Sequence, residues 1–218
     1  MPRDNAPWAP AQPGVWAEPS VGGMMGKVVF DITMSLDGFI TGANDSPERP
    51  LGEGGERLHD WISSGRTDED TRVLDELFAS GAVVAGRRTY DISTGPNGWG
   101  DGPLGRTPVF VVSHDRPDKV PDGGAVFTFA SDIRSALQQA QAAAADKPVY
   151  VMGGADVAQQ YLAAGLLDEV QIHLAPVLLG RGVRLFERPG LDRVRMESTR
   201  VIETPCATHI RYRVVTGG

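Results

Sequence analysis

Apolar residues along this chain come in short runs separated by polar, glycine-rich segments, and the runs switch between strand and helix spacing. Lys27 to Met34 predicts a strand, followed by a loop from Ser35 to about Gly55. Glu56 to Ser63 predicts a short helix. Asp68 to Ser80 predicts a longer one, with Val73, Leu74, Leu77 and Phe78 on one face and acidic residues at its start, where they oppose the helix dipole. Ala82 to Ala85, Pro108 to Val112 and Ala125 to Phe129 read as short buried strands. Ser131 to Ala145 reads as an Ala/Gln-rich helix with Ser131 as its N-cap. A strand is expected over Val149 to Met152, then a helix from Ala155 to Ala164 closed by Gly165. The rest reads as strands over Glu169 to Ala175, Arg195 to Glu203 and Thr208 to Val215.

Strands that alternate with helices and then follow one another directly give an α/β domain: a mixed, mostly parallel sheet with helices on both faces. Residues 1 to about 24 stand apart. Pro2, Pro7, Pro10, Pro13 and Pro19 interrupt any backbone ladder there, so a tail carrying Trp8 and Trp16 is expected ahead of a single domain over residues 25–218.

Composition narrows the function classes. With 218 residues and a net charge of -7, the chain lacks the basic field that nucleic acid or an anionic membrane would require. Cys206 is the only cysteine, which removes internal disulfides and thiolate-rich zinc sites. The longest apolar runs, such as Val149 to Met152, are too short to span a bilayer, and the start does not read as a secretory signal. A cytoplasmic protein acting on a small molecule is the expectation.

Three strand ends carry groups suited to phosphate. In Pro148 to Val157 a buried strand runs into Gly153 and Gly154 and then a helix, where Ala155 and Asp156 begin. Glycines let the backbone approach a ligand, and a helix start offers N–H groups to an anion. A tight strand-to-helix turn, with Asp156 favouring the helix start, accounts for the same residues. In Ala82 to Asp91 the strand ends at Gly86 and releases Arg87, Arg88 and Thr89; a guanidinium fork matches the oxygens of a ribose 2′-phosphate, and surface arginines at a helix start are the other reading. The strand from Val109 ends in Ser113 and His114, suited to the same phosphate or to adenine, or simply a solvated strand end. Gly100 to Gly105 has the spacing of the dinucleotide-binding glycine fingerprint, but it follows a loop rather than a strand and contains Pro103, so that match is rejected.

Taken in order, these segments resemble the dihydrofolate-reductase-like superfamily, and within it the branch related to the reductase domain of riboflavin biosynthesis. The resemblance is carried by Thr33 to Ile40, Gly86 to Tyr90, Met152 to Asp156, Leu167 to Val170 and Pro176 to Phe186, and covers roughly Lys27 to Val215. It implies a three-layer α/β/α fold, a homodimer joined through its late strands with Pro176 to Phe186 at the interface, and NADPH as cofactor. Thr33 and Ile40 would lie near the nicotinamide, Gly86 to Thr89 with Ser113 and His114 around the adenosine phosphate, and Gly153 to Asp156 at the pyrophosphate. The acid of dihydrofolate reductases falls on Asp70, although an acidic residue in a first helical turn also serves as ordinary helix stabilisation. Phe39 and Trp61 are candidates for the walls of the substrate pocket, with core packing as the other role of each. Burial there would raise the Asp70 carboxyl and make it a proton donor near neutral pH. Two departures stand out. Met152 occupies a position that is commonly acidic in the riboflavin branch, and no Pro-Trp pair follows the first loop as in dihydrofolate reductases. The implied activity is hydride transfer to a pterin-, folate- or ribosylaminopyrimidine-like heterocycle; the alternative is a nucleotide-binding relative without chemistry.

Overall fold

The structure, a computed structural model, describes residues 26–96, 106–117, 120, 126–187 and 191–215. The expected tail with Trp8 and Trp16 and the rejected Gly100–Gly105 match lie outside the described residues.

Among the described residues, ten strands and four α-helices follow in chain order: β1 Val28–Ser35, β2 Phe39–Thr41, α1 Asp68–Phe78, β3 Ala82–Gly86, α2 Arg87–Ser93, β4 Val109–Val112, β5 Phe127–Ala130, α3 Ile133–Ala144, β6 Val149–Val151, α4 Ala155–Ala163, β7 Glu169–Ala175, β8 Val183–Arg184, β9 Arg195–Glu203 and β10 Thr208–Val215. Eight of the strands form one sheet in the order β5-β4-β3-β6-β1-β7-β10-β9. From β5 to β7 every neighbouring pair is parallel; β10 runs antiparallel to β7, and β9 to β10. This is the dihydrofolate-reductase-like arrangement, with the mixed sheet read from the sequence.

Alternation along β1 sends its side chains to two different cores. Val28 and Phe30 pack with Val84, Val149 and Val151 beneath Ala136 and Ala140 of α3 and Ala158 and Tyr161 of α4. Val29 faces the other way, to Val83, Tyr150, Leu77 of α1 and Tyr90 of α2. Phe30 and Tyr161 are fully enclosed, and each contributes about 1.5–3 kcal/mol by leaving water. The Tyr161 hydroxyl donates to the Ile133 carbonyl at 2.7 Å, which leaves no buried phenol unsatisfied at that point.

Several local expectations needed correction. The loop after β1 contains β2, which pairs with β8 in a separate two-stranded ribbon. Residues Gly55–His59 form a 3₁₀ turn instead of a helix running to Ser63. Asp132, not Ser131, caps α3, accepting from the N–H groups of Arg134 and Ser135 at 2.9 Å each. Asp wins because its carboxylate reaches both amides while the residue itself stays extended. α1 begins with a capping box: Thr67 accepts from the Asp70 N–H, and Asp70 accepts from the Thr67 N–H.

Candidate active site

The phosphate-compatible groups converge at the C-terminal edge of the parallel strands, where open α/β sheets place ligands. β3 and β6 are neighbours, so Gly86 and the Gly153–Gly154 turn meet side by side. The Gly86 N–H donates to the Gly153 carbonyl at 2.8 Å. A Cβ at Gly86 would stand 2.9 Å from Val157 Cγ2, so only glycine lets the first turn of α4 come this close to β3. Gly153 has φ +93°, a conformation that side-chain-bearing residues rarely adopt, and its peptide bond to Gly154 is cis. The Thr89 hydroxyl overlooks this turn, 3.6 Å from where a Gly154 Cβ would be. α2 starts after Gly86 and α4 after Gly154, and neither helix has a side-chain cap. Both helices thus begin at these neighbouring strand ends with first-turn N–H groups that no N-cap side chain satisfies, the kind of terminus that suits an anion. Ala155 is buried against the core, and Asp156 lies in the first turn of α4, where it accepts from Gln160 at 2.6 Å.

The two arginines diverge. Arg87 reaches along the sheet edge to β4: its Nη1 lies 3.3 Å from Ser113 Oγ and 2.8 Å from the Asp115 carbonyl, while Nε pairs with Asp91 at 2.8 Å. Arg88 turns to the loop after β2, donating from Nε to Asp45 at 3.0 Å and pairing through Nη2 at 2.7 Å. Only Arg87 adjoins the strand end that holds Ser113 and His114. There a pocket of about 560 Å³ is lined by Ser113, His114 and Arg116 after β4 and by Phe127, Thr128, Phe129 and Ser131 of β5 and its end. Arg116 is an addition to the sequence-derived set; its guanidinium sits 6.0 Å above the Phe129 ring.

On the expected substrate side, the named residues are enclosed. Asp70 is wholly buried. Its Oδ2 accepts from the Thr67 N–H at 2.7 Å and the Thr67 hydroxyl at 2.8 Å, and its Oδ1 lies 2.8 Å from His209 Nε2 and 3.0 Å from the Thr204 hydroxyl. Burial pushes this carboxyl up, but the hydrogen bonds from Thr67, His209 and Thr204 outweigh it and hold the group below its ordinary value. The expected upward shift is therefore corrected: Asp70 is a carboxylate with its partners in place. Trp61 is enclosed as well. Its indole N–H donates to Thr33 Oγ1 at 3.1 Å, and its ring packs on His173 and His209 with centroids 4.4 and 4.9 Å apart. Phe39 is buried under the Arg184 guanidinium, 4.4 Å from its ring centre, and Ile40 joins the larger core.

Beneath Trp61 the sheet carries a buried polar face that apolar patterning had not revealed. Asp31 and Thr33 of β1 are in register with Gln171 and His173 of β7, and these with Arg211 and His209 of β10. His173 Nδ1 lies 2.7 Å from His209 Nδ1, and His173 Nε2 lies 3.2 Å from Asp31 Oδ1. Burial, then the neighbouring His173, lower the His209 imidazole against the pull of Asp70. The signal was present as polar residues at every second position of three strands whose other positions are apolar.

Among known proteins, the family model of the RibD C-terminal domain matches residues 26–210. The chain is 24% identical to the uncharacterized Bacillus subtilis protein YyaP over 173 residues, 73% of this chain and 80% of that one. It superposes on a crystal structure of a Shewanella sp. PV-4 protein provisionally ascribed to riboflavin biosynthesis, with TM-score 0.65 and 24% identity, covering 87% of this chain and 99% of that one. Dihydrofolate reductase from Enterococcus faecalis, solved with NADP(H), superposes with TM-score 0.56 and 15% identity over 88% of this chain and 98% of that one.

Proposed function

The chain belongs to the RibD C-terminal domain family, and from that premise we propose that it is an NADPH-dependent reductase of a small heterocycle, of the pterin, folate or ribosylaminopyrimidine kind. The observation that carries this reading is the cradle at the strand ends: Gly86 locked to Gly153, two helices without side-chain caps beside them, and Arg87 with Ser113 at the adjacent end.

These residues fit the cofactor. Gly153, Gly154, Ala155 and Asp156 would take the pyrophosphate against the start of α4, with Thr89 above. Arg87, Ser113 and His114 would hold the 2′-phosphate, and the adjoining pocket the adenosine. Arg88, committed to Asp45, instead ties the loop after β2 to α2. Thr33 and Ile40 would border the nicotinamide. When bound, the cofactor supplies a hydride; the chain's task is to hold the acceptor carbon at near-contact distance, exclude water and supply a proton. Met152 lies at the end of β6, beside this region.

The test is a screen of dihydropterins and ribosylaminouracils, following NADPH consumption. Turnover of one class names the substrate. Tight NADPH binding with no turnover of any of them favours the competing reading, a nucleotide-binding relative without chemistry, for which the enclosure of Asp70 and Trp61 speaks.

We further propose that a second copy of the chain covers the Pro176 to Phe186 segment, where Leu178 and Phe186 are exposed, as is Leu36, whose N–H donates to the Val177 carbonyl at 2.9 Å. Sedimentation of the full chain at micromolar concentration should give a dimer; a monomer would remove this interface. No helix among the described residues is long and apolar enough to cross a membrane, in keeping with action in the cytoplasm.

A further inference from the structure

Four ionisable side chains from three strands and a helix lie in one buried line, Asp70–His209–His173–Asp31, and none of the four is more than a few per cent exposed. The line contains three close contacts: Oδ1 to Nε2 at 2.8 Å, Nδ1 to Nδ1 at 2.7 Å, and Nε2 to Oδ1 at 3.2 Å. Each needs a proton between its two heavy atoms, since two lone pairs at these distances repel.

The placement of those protons follows from the ends inward. Asp70 already accepts from Thr67 at its other oxygen and is held as a carboxylate, so His209 must donate to it from Nε2. A neutral His209 then has a bare Nδ1, and the facing Nδ1 of His173 must carry the hydrogen. At the opposite end Asp31 is fixed as an acceptor by a second chain of contacts. Arg200, gripped by Glu76, can only donate to the Gln171 carbonyl oxygen at 3.2 Å; this turns the Gln171 amide nitrogen towards Asp31 Oδ2, at 3.1 Å. His173 therefore meets Asp31 with a second N–H, or with a bare Nε2 if the proton has crossed to the carboxylate.

We propose that this line holds one proton more than two neutral imidazoles and two carboxylates would carry, and that the extra proton moves between His173 Nε2 and Asp31. Asp70 is a positioning residue: it fixes His209 as the tautomer whose Nδ1 accepts. The charged and titratable groups around the two histidines are Asp31 on β1, His59 in the turn before α1, Asp70 and Glu76 on α1, Tyr150 on β6, Arg200 on β9 acting through Gln171, and Arg211 on β10, which pairs with Glu76. The imidazolium offsets one of the two buried carboxylates, and Trp61 packs over both imidazole rings.

The consequence for chemistry rests on the reductase reading. When a C=N or C=O carbon takes the hydride, the adjoining nitrogen or oxygen must gain one proton. Asp31 shares the face of β1 with Thr33 and can pass that proton on as its O–H bond breaks, with His173 resupplying it; solvent then returns one proton to the line at the Asp31 end, the most exposed of the four groups.

The experiment is proton and nitrogen NMR of the full chain labelled with ¹⁵N-histidine at pH 7.5, in wild type, Asp70→Asn and His209→Gln, each with and without NADPH. Three protons should be counted on the His173–His209–Asp31 set, with a strongly deshielded resonance between the two Nδ1 atoms. That resonance should vanish in His209→Gln and weaken in Asp70→Asn. Two ordinary neutral rings in the wild type, one N–H each and no deshielded resonance, would overturn the proposal whatever the variants do. Failure of the reductase reading looks different: the shared proton is present, but NADPH leaves every spectrum unchanged.

Discussion

His59 offers a direct measure of how the buried polar face behaves towards acid. Burial, reinforced by the nearby His173, pushes its imidazole down from 6.5 to about 4. A histidine held neutral in the folded chain but free to protonate when unfolded adds stability that is complete above pH 6.5. That stability is lost as the pH falls towards 4, because the unfolded chain then binds the extra proton. Each pH unit in that window costs about 1.4 kcal/mol, so about 2 kcal/mol is gone at pH 5 and about 3 kcal/mol by pH 4. His59→Gln removes the titration while keeping a polar side chain of similar reach. Urea unfolding of wild type and variant at pH 7.5 and pH 5 gives four stabilities, and the difference of differences isolates this residue from the acidic groups that both proteins share. The wild type should lose about 2 kcal/mol more than the variant over that interval. Equal losses would show that His59 is freely solvated, and would refute the reasoning that burial and the neighbouring His173 hold it neutral.

Other consequences of the geometry are separately measurable. Arg87→Ala should weaken NADPH about 10–100-fold and leave NADH nearly unaffected, since a charge-assisted bond to phosphate is worth about 1.5–3 kcal/mol; titration with each nucleotide reads this. Arg88→Ala, which leaves the largely buried Asp45 carboxylate without its guanidinium, should cost about 1–3 kcal/mol in urea unfolding and leave the NADPH preference in place. Gly86→Ala should cost about 1–3 kcal/mol and reduce cofactor affinity at least about tenfold, because its methyl group must displace Val157 and the start of α4. Unchanged NADPH affinity in Gly86→Ala would separate the glycine from the cradle.

The fold was legible because its elements announce themselves locally. The parallel strands β3, β4 and β6 are short apolar runs ended by Gly86, Ser113 or the Gly153–Gly154 pair, and α1 combines acidic residues in its first turn with an apolar stripe. β2 and β8 were not legible: they are three and two residues long and exist only by pairing with each other, which no local pattern specifies. In the site, Gly86, Arg87 and Ser113 could be read because their residue types suit one chemistry. The divergence of Arg87 from Arg88 depends on Asp45, which is distant in sequence. The buried line escaped for the same reason. Asp31, His173 and His209 are far apart in the chain, and only the register of β1, β7 and β10 brings them side by side. Asp70 was found by its position relative to the Gly-Arg motif, but its protonation depends on Thr204 and His209 near the other end of the chain.

The central claim is that the strand-end cradle is built for a nicotinamide nucleotide bearing a 2′-phosphate. The most direct test is calorimetric titration of the full chain with NADPH and with NADH under identical conditions. The account predicts saturable binding of NADPH at least about tenfold tighter than NADH, a difference of about 1.4 kcal/mol or more. Equal affinity for the two, or no binding of either, would contradict it.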